Sequence, residues 1–194
     1  MASENTSIRQ ARETDVPGIL EIYNDAILNT TALYTYDPFT LPMMQQWFKE
    51  KKAKALPVFV AVEGEGGLAS AAGESKTAAA VEPRIAGFAS YGPFRPWPAY
   101  KYSVEHSIYV HKDQRGKGIS KKLLRMLIDH ASADSLHTIV AGIDSQNEVS
   151  INLHRQFGFK ETGQIAQVGY KFGRWLDLVF MQLILENNLQ PNEK

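Results

Sequence analysis

The sequence predicts a mixed α+β fold: one central β-sheet of mixed strand directions with helices on both faces. Three observations predict it. Apolar residues recur at helical spacing in four well-separated segments. Between them lie short runs rich in Val, Ile, Phe and Tyr that read as strands. The order, β-α-α-β-β-β-α-β-α-β-β, describes a mixed sheet with helices on both sides.

Residues 7–12 form the first predicted strand. Thr14 and Asp15 offer an N-cap and Pro17 lies in the first turn of a helix, whose stripe is Ile19, Ile22, Tyr23, Ala26 and Ile27. Residues 41–55 read as a second helix around Met44, Trp47 and Phe48, and 58–62 as a strand after Pro57. Strands resume at 85–91 and 102–110, separated by the stretch Gly92-Pro93-Phe94-Arg95-Pro96-Trp97-Pro98, too proline-rich for helix or central strand. A helix over 119–133 presents Leu123, Leu124, Leu127, Ile128 and Ala131 on one face. A strand at 138–143 and a helix at 148–157 follow, the latter stopped by Gly158. Residues 165–170 and 176–185 close the sheet.

A chain of 194 residues suits one domain, here 1–194, with a compositional break at 64–83. Gly, Ala, Ser and Glu dominate that break, and no large apolar residue follows Leu68, so too little surface can be buried to offset ordering. It is expected to be a mobile insertion in a hairpin, with an Ala-rich surface helix as the alternative. Lys+Arg and Asp+Glu both number 21, a balance that argues against a general nucleic-acid binder. There is no cysteine, which removes disulfides, thiolate zinc sites and Cys nucleophiles together. His111, His130 and His137 show no metal-ligand spacing, so no metal is expected. No apolar run nears the ~20 residues of a membrane span, and residues 1–8 lack the apolar core of a signal peptide. A cytoplasmic protein is expected.

The most informative stretch joins a strand end to an amphipathic helix: Arg115-Gly116-Lys117-Gly118-Ile119-Ser120. Glycines permit close approach to the backbone, and the first helical turn leaves N–H groups without internal partners. Together with Arg115, Lys117, Lys121 and Lys122 this favours an anion such as a pyrophosphate. A solvated basic turn is the bland alternative. The stretch lacks P-loop spacing, and it follows four predicted strands rather than the first strand of a dinucleotide-binding unit.

Arg115-x-x-Gly118-x-Ser120 resembles the acetyl-coenzyme A signature of the GCN5-related N-acetyltransferases, with Ser120 in place of the usual last Gly or Ala. Asn147, Ser150, Leu153 and Gly158-Phe159 resemble the family's strand-to-helix segment, with His154 where many members have tyrosine. A closer resemblance covers residue 8 to about 185, to the phosphinothricin and methionine sulfoximine N-acetyltransferase branch. Its pieces are Val104-Glu105-His106-Ser107-Ile108-Tyr109-Val110, the glycine loop, and Gly169-Tyr170-Lys171-Phe172-Gly173-Arg174-Trp175-Leu176-Asp177.

The resemblance implies the GNAT-like fold and acetyl transfer from acetyl-CoA to the amine of a small amino-acid-like substrate. Glu105 would be the general base, where an ion pair to a helix is the bland alternative. His154 would donate a proton to the leaving thiolate or bond the cofactor, and His106 on the opposite face would be packed. Ile108, Tyr109, Val110, Arg115, Gly116, Lys117, Gly118, Ile119, Ser120, Asn147 and Asn152 would contact acetyl-CoA. Phe94, Arg95, Pro96, Val104 and Glu105 would contact substrate, Arg95 pairing with an anionic group. Lys171 and Trp175 would pair strands or meet a second copy, since a homodimer is implied. Acetylation of protein or peptide amino termini, and a non-catalytic acetyl-CoA-binding module, are the competing readings.

Overall fold

A computed structural model describes residues 6–64, 84–186 and 190–192. The expected insertion at 64–83 falls, apart from Gly64, outside the described residues. The strands are β1 (Thr6–Gln10), β2 (Val58–Glu63), β3 (Arg84–Pro93), β4 (Ser103–Val110), β5 (Thr138–Asp144), β6 (Lys160–Lys171) and β7 (Arg174–Ile184). The helices are α1 (Val16–Asn29), α2 (Leu41–Ala53), α3 (Ile119–Ala133) and α4 (Glu148–Gln156).

One sheet takes the order β1-β2-β3-β4-β5-β7-β6. Among the described residues, only β4 and β5 run parallel. Side-chain alternation divides the core. Phe59, Ala61, Ala89, Tyr91, Val104, Ile139 and Met181 face α3 and α4, meeting Leu123, Leu124, Leu127 and Ile151. Val58, Val60, Val62 and Phe88 face α1 and α2, meeting Ile19, Ile22, Met44 and Phe48. Coverage of both faces explains why 58–62 is continuously apolar.

Helix ends follow local chemistry. Thr40 caps α2 by accepting from the Met43 N–H, and Asn147 caps α4 by accepting from the Ser150 N–H at 3.1 Å. Gly158, at φ 85°, ends α4, with the Phe159 and Gly158 N–H groups bonding the His154 and Arg155 carbonyls. Asp15 departs from the expected cap. Its carboxylate accepts from the Arg12 N–H at 2.7 Å and from Arg9 at 2.6 Å, tying β1 to the entry of α1.

The feature that creates a site is a parting of strands. β4 pairs with β3 along its length, from Val104 opposite Pro93 to Val110 opposite Gly87. It pairs with β5 only over Ser103–Glu105. From His106 onward the β5-facing edge of β4 has no strand partner among the described residues, and a slot opens where the sheet would otherwise continue.

Candidate active site

Glu105 stands where β4 and β5 part. Its carboxylate points to the α1/α2 face, and a Cβ added to Gly142 of β5 would lie 3.1 Å from Glu105 Oε1. Gly142 is exposed although it sits in a central strand, so open space lies above it beside the carboxylate. Burial raises the Glu105 pKa above the ordinary carboxylate value, and the nearby Arg95 charge opposes that rise. A carboxylate so placed takes up a proton more readily than an exposed one, which suits a general base.

Arg95 is exposed in the loop after β3. One Nη donates to the Phe94 carbonyl at 2.8 Å, and the guanidinium lies 4.1 Å from the centre of the Phe94 ring. Pro96 beside it is also exposed, while Phe94 is half-buried against Tyr100. Val104 differs from the expectation. It is 3% exposed and belongs to the α3-side core, because alternation along β4 sends it to the face opposite Glu105. Only its backbone remains for any ligand.

The glycine loop has the features of an anion cradle. Gly116 and Gly118 take left-handed φ values of 78° and 77°, which glycine adopts without strain, and open space surrounds the position of each missing Cβ. Among the described residues, no acceptor bonds the backbone N–H of Gly116, Lys117, Gly118, Ile119 or Ser120. Five successive donors at a helix N-terminus fit a diphosphate. Arg115 is tied to Asp25 of α1 at 3.2 Å, and the Lys117 ammonium rests on the Gln114 side-chain oxygen. The Ile119 side chain is core, leaving only its amide to the loop.

Ile108 and Val110 are half-buried and lean on the α3-side core, while Tyr109 lies on the other face against Tyr23 and Phe88. Their backbones line the unpaired edge of β4. Asn147 stands at the start of α4 with its side-chain oxygen used by the cap and, among the described residues, its amide nitrogen unbonded. Asn152 is exposed, and its oxygen accepts from Arg155 at 3.2 Å.

The donor role expected of His154 does not fit its surroundings. His154 is 3% exposed, its Nδ1 lies 2.7 Å from the Ser150 carbonyl, and its Nε2 lies 3.0 Å from His106 Nε2. A carbonyl only accepts, so the His154 proton is on Nδ1 and the His106 proton on Nε2, donated to His154. The two rings stack at 5.0 Å, with Phe159 edge-on to both. Among the described residues, His106 Nδ1 is buried without a partner. Burial, then the neighbouring His154, pushes the His106 pKa down to about 3, and burial lowers that of His154. This is a neutral packed dyad, with its protons committed inward.

That dyad predicts acid sensitivity. Between pH 6.5 and about 3 the unfolded chain protonates His106 and the folded chain does not, so stability falls as pH falls through that window. The limiting slope is about 1.4 kcal/mol per pH unit for each such histidine. Urea unfolding between pH 7 and 4.5 measures it. His106→Gln, which keeps a donor near His154, is expected to flatten the slope, and an unaltered slope would refute the assignment.

Gly142 and the dyad were missed in the sequence. A glycine inside an apolar strand does signal close approach of another group. Nothing local signals the dyad, because its members lie 48 residues apart. Among the described residues no cluster of three or more His, Cys, Asp or Glu is placed to hold a metal ion, and no helix is long and apolar enough to cross a membrane.

The glycine cradle beside a parted strand pair, with a base-like carboxylate at the parting, defines an acyltransferase of the coenzyme-binding kind. The sequence model of the Acetyltransferase (GNAT) family matches residues 21–159, and the chain belongs to that family. It is 48% identical over 182 residues to the L-methionine sulfoximine/L-methionine sulfone acetyltransferase of Pseudomonas aeruginosa, covering 94% of this chain and 96% of that one. The phosphinothricin acetyltransferase of Sinorhizobium meliloti, solved with acetyl-CoA, superposes with a TM-score of 0.84 at 33% identity, covering 97% of this chain and 94% of that one. A ribosomal-protein-alanine N-acetyltransferase of Brucella melitensis superposes with a TM-score of 0.80 at 42% identity, covering 92% and 99%. The protein is an N-acetyltransferase.

Proposed function

We propose that this enzyme acetylates the amine of a small amino-acid-like substrate, of the methionine sulfoximine, methionine sulfone or phosphinothricin type, using acetyl-CoA. The observation that carries the proposal is Glu105, a carboxylate of raised pKa beside the open floor at Gly142 where β4 leaves β5. The relatives' substrates support the choice of amine.

Bound at the cradle, acetyl-CoA supplies an activated thioester. The amides of Gly116 to Ser120 receive its diphosphate, with the Arg115 and Lys117 charges nearby. The free edge of β4 at Ile108, Tyr109 and Val110 takes the amide-bearing arm as an added strand, and Asn147 Nδ2 offers a further donor. Asn152, exposed and bonded to Arg155, has the weaker claim. Glu105 accepts the proton of the substrate ammonium, directly or through one water, so that the neutral amine can attack. The chain needs no nucleophile of its own, in keeping with its lack of cysteine. His154 is left a packing role.

Arg95 reads the substrate's anionic group, with Phe94 and Pro96 framing it. Its present rest on Phe94 leaves the other Nη free to turn outward. Arg95→Lys keeps the charge but loses the planar fork, so kcat/KM for a carboxylate-bearing amine should fall about ten- to a hundredfold. Acetyl-CoA affinity should be unaltered, and an amine without the anion should be nearly indifferent. Equal losses on both amines would show that Arg95 supports its loop instead.

The second reading is transfer to a protein amino terminus, favoured by the Brucella relative. Comparing short alanine-led peptides with free amino acids decides between them. Acetyl-CoA is a cytoplasmic metabolite, so the cytoplasm is the proposed location. A homodimer meeting at the exposed Tyr170, Phe172 and Trp175 is proposed with it, tested by sedimentation of wild type and Trp175→Glu.

A further inference from the structure

Lys171 is a buried ammonium that the proposed chemistry does not use. It ends β6, is 4% exposed, and was expected from the sequence at a strand pair or subunit contact. Its Nζ instead enters the protein and donates to three carbonyls: Ile27 at 2.6 Å, Thr30 at 2.9 Å and Leu33 at 2.7 Å. Those oxygens belong to the last turn of α1 and the start of the loop 30–40, where helix carbonyls run out of internal donors. Among the described residues no carboxylate pairs with this ammonium. Its three protons match three acceptors, an arrangement only a lysine head supplies in so small a space.

The same loop is tied down elsewhere. Tyr36 donates its hydroxyl to the Tyr170 carbonyl at 2.6 Å. The Tyr34 ring lies so close to Gly169 that a Cβ there would fall 2.7 Å from it. At the far end, Asn24 exchanges two hydrogen bonds with the Phe39 backbone, at 2.9 and 2.8 Å. Phe39 meets Tyr23, which meets Tyr109 on the Glu105 face of β4. Tyr34 lies near enough to Asp144 and Arg174 to feel their charges, and Asp144 is two residues along β5 from Gly142, on the same face. The loop therefore runs from the Glu105 face of β4 to the β6–β7 hairpin, flanking the open space above Gly142.

We infer that Lys171 is a positioning residue for the acceptor site. It holds the loop 30–40 on the β6–β7 hairpin and thereby sets affinity for the amine substrate without touching it. The inference rests on the reading of Glu105 and Gly142 as the acceptor-amine site. Removing the ammonium frees one wall of that site and leaves the cradle and the base as they were.

Lys171→Met keeps the stem and removes the three donors. KM for the amine should rise about tenfold or more with kcat within about threefold, the pattern of lost ground-state binding. The dissociation constant for acetyl-CoA should not move. Lys171→Arg should recover part of the KM. Tyr36→Phe, which removes one loop bond outside the core, should raise KM less and leave Tm unchanged, and it carries the test if Lys171→Met fails to fold. Hydrogen exchange of the loop amides should quicken in both variants whether or not an amine is turned over. Unchanged KM and exchange in the variants would overturn the inference, as would equal losses of kcat, KM and acetyl-CoA affinity. Quickened exchange in the variants beside a wild type that acetylates no amine would overturn the acceptor-site reading and this inference with it, leaving a purely structural clamp.

Discussion

Glu105→Gln is expected to lower turnover by about 10²–10⁴-fold, the range for removing a general base, with acetyl-CoA affinity unchanged. The amide fills the same space beside Gly142 but accepts no proton. Because burial raises the Glu105 pKa, the wild-type rate should climb with pH from above the ordinary carboxylate range, and the variant should lose that limb. The deficit should shrink at high pH, where the amine sheds its proton unaided. The stability sign is opposite. A folded pKa above the unfolded one means that ionising Glu105 disfavours the fold at neutral pH, so the variant should be at least as stable as wild type. Full activity at neutral pH would place the base elsewhere.

Gly118→Asp should abolish binding of acetyl-CoA. At saturation near 100 times its dissociation constant, the ligand should stabilise the wild type by about 2.7 kcal/mol. The substitution sets a carboxylate where five N–H groups await acceptors, and like charge then meets the diphosphate. Asp tolerates a φ of 77° better than most residues, so the unliganded fold should survive. Thermal unfolding with and without acetyl-CoA measures the difference. A variant shifted as much as wild type would refute the cradle.

Much of this was legible in the sequence because local rules carried it. Leu123, Leu124 and Leu127 repeat at helical spacing and are all fully buried. Gly116 and Gly118 stand where left-handed backbone was needed. The expected start of β6 near residue 165 was late by five residues, because Lys160 to Gln164 are polar and exposed on an edge strand and carry no apolar alternation. Val104 was assigned to the substrate although the alternation that turns Glu105 to the α1/α2 face sends its neighbour into the opposite core. Lys171 and the His106–His154 pair were beyond local reading. Each depends on a partner brought close by the sheet, α1 for the lysine and α4 for His106.

Transfer from acetyl-CoA to a small amine is tested most directly by coenzyme A release across an amine panel. Methionine sulfoximine, methionine sulfone, phosphinothricin, ordinary amino acids and alanine-led peptides would be compared at equal concentration, with wild type beside Glu105→Gln. Release with one or more of the small amino-acid-like amines, dependent on Glu105 and exceeding that with every peptide, is the predicted result. Release with peptides alone, or none with any amine despite bound acetyl-CoA, would contradict it.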